Sequence, residues 1–175
     1  FWGRDYLFGL MLATVMIPGA LLLIPAFLIT NQLGLVNSYG GLIIPALANV
    51  LGVFLLRQFM QTIPEELEHA ARIDGCGEYG VFWRIILPLS APALATLSIV
   101  VFTSQWNNLI WPLVILNDKS LYTLSLGLAL LRGEFQVNYG ITSAAAFISV
   151  APLMIVFLFL QRYFLAGLTV GAVKG

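Results

Sequence analysis

The residues best suited to chemistry are neutral amides beside indoles, in Ser104-Gln105-Trp106-Asn107-Asn108 with Trp111-Pro112. Polar side chains at membrane depth are costly, so they face a cavity, a partner helix or the interface. Gln105, Asn108 and Pro112 fall on one face of a helix, with Ser104 and Trp111 beside it. Amides bond hydroxyls in both directions, and an aromatic face stacks on the C–H side of a sugar ring. Gln105, Trp106, Asn107, Asn108 and Trp111 are therefore candidates for a solute pathway. They equally fit an aromatic belt with interhelical hydrogen bonds. Asn49, alone in mid-span, is a further pathway candidate or an interhelical bond.

Other reactive groups are few. His69 is the only histidine and Cys76 the only cysteine, which excludes an internal disulfide and argues against a metal site. His69 fits a helix-surface polar group better than a pH sensor. There is no Gly-x4-Gly-Lys-Ser/Thr phosphate loop, no His-Glu-x-x-His and no Gly-x-Ser-x-Gly stretch. The chain thus offers no hydrolytic site and calls for no cofactor, so any ATP hydrolysis belongs to another subunit.

The elements that must carry these groups are apolar. The 175 residues are 60% hydrophobic and 9% charged, with zero net charge. This is the composition of an all-α polytopic membrane protein with a lipid bilayer as its surroundings, and nothing in it points to nucleic acid. A first span over Leu7 to Ile29 would rise about 34 Å, enough to cross a bilayer core. Pro18 and Pro25 mark it as kinked and bundle-facing. Residues 31–39 read as a short external loop. A second span covers Gly40 to Leu56, a third Ala91 to Leu116 and a fourth Ile141 to Leu160. Residues 117–140 form a longer loop, of which Leu121 to Leu131 either lies in the interface or folds back into the bundle. No acidic residue falls inside a span, which counts against a proton-coupled carrier.

Between the second and third spans lies Pro64 to Pro88, where ionisable groups are concentrated: it holds seven of the sixteen charged residues and the only histidine. Thr62-x-x-Glu65 has capping-box spacing, with Pro64 in the opening turn. Leu67, Ala70 and Ala71 share one face. Gly75 and Gly77 supply a break, and Tyr79, Phe82, Trp83 and Ile86 form a second apolar stripe that Leu87-Pro88 ends. Two amphipathic helices meeting at a glycine are a shape for another protein to grip. Arg72 and Asp74 fit interface or loop-internal charges. With this loop inside, Arg4, Arg57, Arg72, Arg84, Arg162 and Lys174 are cytoplasmic, against only Lys119 and Arg132 outside, in agreement with the positive-inside rule.

The spacing His69-Ala70-Ala71, three residues, Gly75, nine residues, Ile85, one residue, Leu87-Pro88 resembles the EAA loop of ABC-importer permeases. AARIDG, WRIILPL and the ending GLTVGAVKG resemble the carbohydrate branch, of the maltose permease type, and residues 106–112 resemble its Trp-Asn…Pro signature. One position departs: the glutamate that names the motif is His69 here, preceded by Glu68.

The resemblance implies a type I ABC-importer permease fold, with four of six spans in a single permease domain (residues 1–175) lacking its N-terminal part. It implies a coupling loop, residues 61–88, in which Glu68, His69, Ala70, Ala71, Arg72, Asp74, Gly75, Ile85, Leu87 and Pro88 meet a cytoplasmic ABC ATPase dimer. A tail over 167–175, with Lys174 and Gly175, would also touch the ATPase. A second permease subunit and an extracytoplasmic solute-binding protein complete the assembly in a bacterial or archaeal cytoplasmic membrane. The expected cargo is a neutral sugar or oligosaccharide. A glycerol-phosphate permease and an ion-coupled secondary carrier are the alternatives.

Overall fold

The computed structural model describes residues 2–134 and 139–172, with side chains for 2–130 and 140–161. Regular structure among the described residues is helical throughout. They form two units, Phe1–Val50 with Ser104–Pro152, and Leu51–Thr103 with Leu153–Gly175.

In the first unit, α1 (Arg4–Val15) and α2 (Gly19–Gln32) are bent by 104° at a break. The expected single span over 7–29 is thus two helices. The cause is local: Pro18 is the N-cap of α2, with ψ 129, outside the helical range. Pro25, by contrast, stays inside α2.

After the loop, α3 (Tyr39–Leu47) starts from Ser38, whose hydroxyl accepts the Gly41 amide and donates to the Leu35 carbonyl. It continues after a two-residue break as α4 (Val50–Met60), and the run Tyr39–Met60 is long and apolar enough to span a bilayer. The loop itself is built around Asn37, which has φ 57, a left-handed conformation that asparagine tolerates better than most residues.

α8 (Ala91–Trp106) was expected to run on to Leu116, but the helix stops at Trp106 and resumes as α9 (Ile110–Ile115). A 3₁₀ turn (Lys119–Leu121) and α10 (Leu124–Glu134) follow. α10 has 11 residues, about 17 Å, too short to cross a membrane. It folds back: Leu126 is buried with Ile115 and Leu116, and Phe27, Val36, Leu42, Trp111, Leu121 and Tyr122 pack around them. Of the two placements open to 121–131, the structure has the fold-back.

The last helix, α11 (Tyr139–Ala172), contains a second run fit to span, Gly140–Gln161. It continues past the expected end at Leu160, so residues 167–172 of the expected tail are helical; Lys174 and Gly175 lie outside the described residues.

The second unit holds the segment that follows α4. Its helices are α5 (Glu65–Ile73), α6 (Glu78–Val81), a π-helical turn (Phe82–Ile86) and α7 (Leu87–Leu89), after which α8 departs at 69°. The buried residues here are mostly small: Gly52, Ala71, Val81, Ser90, Ala93 and Ala95. Small residues let helix backbones approach closely where lipid removes the hydrophobic drive between them. Counting each bent pair as one span, the described residues hold up to four runs long and apolar enough to cross a membrane.

Candidate functional site: a clipped helical hairpin and two interrupted spans

The second unit presents the segment singled out for docking. Thr62 does not form the expected capping box: its hydroxyl donates to the Phe59 carbonyl at 2.7 Å, tying off the end of α4. Pro64 occupies the N-cap of α5, so the helix opens without a side-chain cap and with Glu65, Glu66 and Glu68 facing its positive end. The other end is closed by Gly75 (φ 85), whose amide bonds Arg72 O while Cys76 N bonds Ala71 O. This is a Schellman cap, and it requires the left-handed residue at position 75. Gly77 has φ −72 and ψ 168, an extended conformation open to any residue, so only one of the two glycines makes the turn.

Past the turn, Leu87 N bonds Phe82 O, five residues back, while Pro88 has no N–H to give. The stripe continues beyond Leu87-Pro88 and ends at Leu89, where Ser90 is fully buried and its hydroxyl bonds Ile86 O at 2.7 Å.

Arg72 spans the hairpin. Its Nε meets Glu78 Oε1 at 2.9 Å and its terminal nitrogen meets Glu78 Oε2 at 3.3 Å and Glu68 Oε2 at 3.0 Å. The hydrogen bond to Glu78, and to a lesser degree the one to Glu68, raises the guanidinium above its ordinary value. The charge is therefore constant at any working pH. Among the residues expected to dock, Ala71 is buried and packs the hairpin, whereas His69, Ala70, Arg72, Asp74, Gly75 and Pro88 are exposed. Glu68, Ile85 and Leu87 are half-buried. Ile73 and Tyr79 are each 86% exposed and Trp83 is 62% exposed, so the hairpin offers large apolar groups to whatever meets it.

The pathway candidates all belong to the first unit, on interrupted helices. Asn49 is not on a helix. It sits in the Ala48–Asn49 break, where its amide reaches back to Leu47 O at 3.1 Å. Gln105, Asn108 and Pro112 do not share a helical face, because residues 107–109 are non-helical. Asn108 turns its Oδ1 back to the Trp111 amide at 3.4 Å, while Gln105 and Asn107 are exposed.

The two indoles act on the protein itself. Trp111 Nε1 donates to Gly41 O at 3.0 Å and Trp106 Nε1 to Ser149 O at 3.0 Å. Gly41 O is the carbonyl that Pro45, four residues on, leaves without a helical donor, while Ser149 O lies in the turn before Pro152, three residues on. Each indole N–H is thus engaged with backbone, and only the ring faces remain for a solute. Sequence reasoning missed three supporting residues. Ser125 donates its hydroxyl to Trp106 O, closing the C-terminus of α8. Asn37 Oδ1 accepts the amides of Asn117 and Asp118, both at 2.9 Å, while its own amide bonds Ile115 O. Glu78, the partner of Arg72, was the third. An asparagine before a helix-capping serine was the one available signal.

Residues 1–170 match the family described as the binding-protein-dependent transport system inner membrane component. The chain belongs to that family. It is 46% identical over 175 residues to the arabinooligosaccharides transport system permease protein AraQ of Halalkalibacterium halodurans, covering all of this chain and 63% of AraQ. The sn-glycerol-3-phosphate transport system permease protein UgpE of Yersinia pestis is 36% identical over 167 residues, 94% of this chain and 59% of UgpE. The chain thus spans about three fifths of the length of these relatives.

A solved structure is also similar, a chain of a bacterial ABC transporter involved in the import of the acidic polysaccharide alginate. It has a TM-score of 0.80 and 27% identity, with 94% of this chain and 63% of that chain covered. The fold is accordingly part of a type I ABC-importer permease, an inner-membrane helical bundle, and the family's members are transport proteins rather than enzymes.

Proposed function

We propose that this chain is the body of a permease subunit in an ATP-driven, binding-protein-dependent importer of the bacterial or archaeal cytoplasmic membrane, passing a neutral sugar or oligosaccharide. The observation that carries the reading is the Schellman-capped, Arg72-clipped hairpin with exposed Tyr79 and Trp83, set in a chain of this family and similar to AraQ along its whole length. A separate ABC ATPase dimer hydrolyses ATP. The hairpin takes up the dimer's movement through Glu68, His69, Ala70, Arg72, Asp74, Gly75 and the Ile85–Pro88 end, and passes it into the spans. A second permease subunit and an external solute-binding protein complete the assembly, and Lys174 and Gly175 add a tail contact with the ATPase.

Solute specificity rests on Gln105, Asn107 and Asn108 as amide partners for hydroxyls, with the ring faces of Trp106 and Trp111 and the amide of Asn49 beside them. The spans as read from the sequence, 7–29, 40–56, 91–116 and 141–160, contain no basic residue, which favours a neutral cargo. The similarity to UgpE keeps a glycerol-phosphate cargo as the second reading, in which the partner permease supplies the cation.

The test is ATP hydrolysis and uptake by the full-length complex in liposomes, with and without Gly75→Asp. Co-purification of the ATPase, with hydrolysis lost on Gly75→Asp, bears the reading out. An uptake-competent permease with no ATPase attached overturns it in favour of an ion-coupled carrier. Competition by arabinotriose but not by glycerol 3-phosphate selects the sugar.

A further inference from the structure

The coupling hairpin has a weak point in its backbone. Hydrogen bonds run up to Cys76 from the α5 side, through Gly75 N to Arg72 O and Cys76 N to Ala71 O. They begin again at Gly77, whose carbonyl accepts Val81 N. Among the described residues no backbone hydrogen bond crosses the Cys76–Gly77 junction, and Gly77 adopts an extended conformation there. The packing that does cross it is slight: α5 lies against α6 and the π turn, and the buried residues of the hairpin are Ala71 and Val81. Such small groups resist separation of the helices but leave their relative angle soft.

Arg72 crosses the junction with directional bonds. It engages both carboxylate oxygens of Glu78, the first residue of α6, through two guanidinium nitrogens, while Glu68 one turn back on α5 holds the same guanidinium. A planar fork fixed at both ends sets an orientation as well as a distance. We propose that Arg72 is a positioning residue of the coupling segment, gripping Glu78 across the Cys76–Gly77 junction so that α5 and α6 move as one lever. This rests on the importer reading above.

In water the clip adds little to stability, because Arg72 is 38% and Glu78 77% exposed at the side chain. Its worth rises when a docked subunit excludes solvent. The lever has a compliant end to work against, namely the π turn Phe82–Ile86 and the 69° bend at Ser90. A stiff head with a yielding neck transmits displacement to α8; a head that swivels at Gly77 absorbs it.

The experiment uses the complete importer in liposomes with Cys76→Ala and Ser104→Cys, reading the labelling of Ser104→Cys by a membrane-impermeant maleimide with and without ATP and vanadate. Arg72→Gln and Glu78→Gln are each expected to keep the ATPase subunit bound but to cut the nucleotide-dependent change in labelling by at least about fivefold. The double variant is expected to be no worse than either single, because the two side chains act as a unit.

Normal coupling in Glu78→Gln, with loss only in Arg72→Gln, overturns the clip and assigns Arg72 to direct contact with the ATPase. Additive losses in the double variant overturn it too. If either single variant fails to assemble, the exchanged pair Arg72→Glu with Glu78→Arg decides: recovered response supports the clip, and no recovery overturns it. Absence of the ATPase from the unsubstituted complex is a different failure, that of the importer reading, and removes the clip's role with it.

Discussion

Trp111 donates its indole N–H to the carbonyl of Gly41 across 3.0 Å, the carbonyl that Pro45, four residues on, leaves without a helical donor. Gly41 is buried, so such a carbonyl has no water to turn to, and the indole completes the α3 ladder from another element. The fit is close. A Cβ on Gly41 would run into the Leu35 carbonyl and stand 3.2 Å from Ile115 Cγ2, so the backbone there is confined as well as bonded.

Removing the donor exposes the defect. Trp111→Phe should lower stability by about 1–3 kcal/mol, the cost of leaving a buried carbonyl unpaired. Pro45→Ala restores an N–H within reach of Gly41 O, so the double variant Pro45→Ala/Trp111→Phe should be more stable than Trp111→Phe alone. Thermal unfolding of the purified complex in detergent gives the order directly. Equal melting of the single and double variants would refute the pairing of proline and indole.

Asn37 is under two demands at once, a left-handed backbone and an acceptor for two amides. Asn37→Ala fails both and should cost about 2–4 kcal/mol locally. Asn37→Gly meets the first demand alone, and Asn37→Asp retains the acceptor. Hydrogen exchange at the amides of Asn117 and Asp118 should therefore quicken most in Ala, less in Gly and least in Asp.

The two glycines of the hairpin should separate cleanly. Gly75 has a positive φ but open space around a would-be Cβ, so Gly75→Ala costs backbone energy alone, about 1–2 kcal/mol. Gly77 also has open space and an unstrained φ, and Gly77→Ala should be neutral or stabilising through the unfolded chain. Comparing the amount of ATPase recovered with each variant, and the melting of the complex, tests the difference.

Asp118 responds to acid. Its carboxylate accepts the Ser120 amide at 2.9 Å, and that backbone bond, aided by the Ser120 side chain, holds its carboxyl below the ordinary aspartate value. A lowered folded value means the carboxylate supports the turn at neutral pH, and the support disappears only as pH falls through the lowered value. The Asp118 carboxyl should titrate by carbon-13 NMR below an aspartate in an unstructured peptide. The same titration in Ser120→Pro, which lacks the amide, should return toward the ordinary value.

The sequence told more about what the elements are than about where they stop. Apolar length located the second and fourth runs within a few residues, because a bilayer needs a known rise and tolerates few charges. It merged α1 with α2 and α8 with α9, since hydropathy is blind to a break in the backbone when both sides are apolar. Pro18 was a visible signal whose strength was underrated; residues 107–109 carry no glycine or proline to mark them.

In the hairpin, the two glycines marked the break, though only Gly75 makes the turn, and Thr62-x-x-Glu65 proved a chance pattern because α4 ended close enough to take the threonine hydroxyl. Trp106 and Trp111 were recognised as special from their neighbours. Their partners, 43 and 70 residues away, depend on tertiary structure that local pattern does not encode.

That separation of 70 residues has a consequence in time. A ribosome adding about 5–20 residues per second reaches Trp111 several seconds after it has made Gly41. Throughout that interval the Gly41 carbonyl has no indole to accept from, so the bond that completes the first turn of α3 is among those that form only once the later chain has been made.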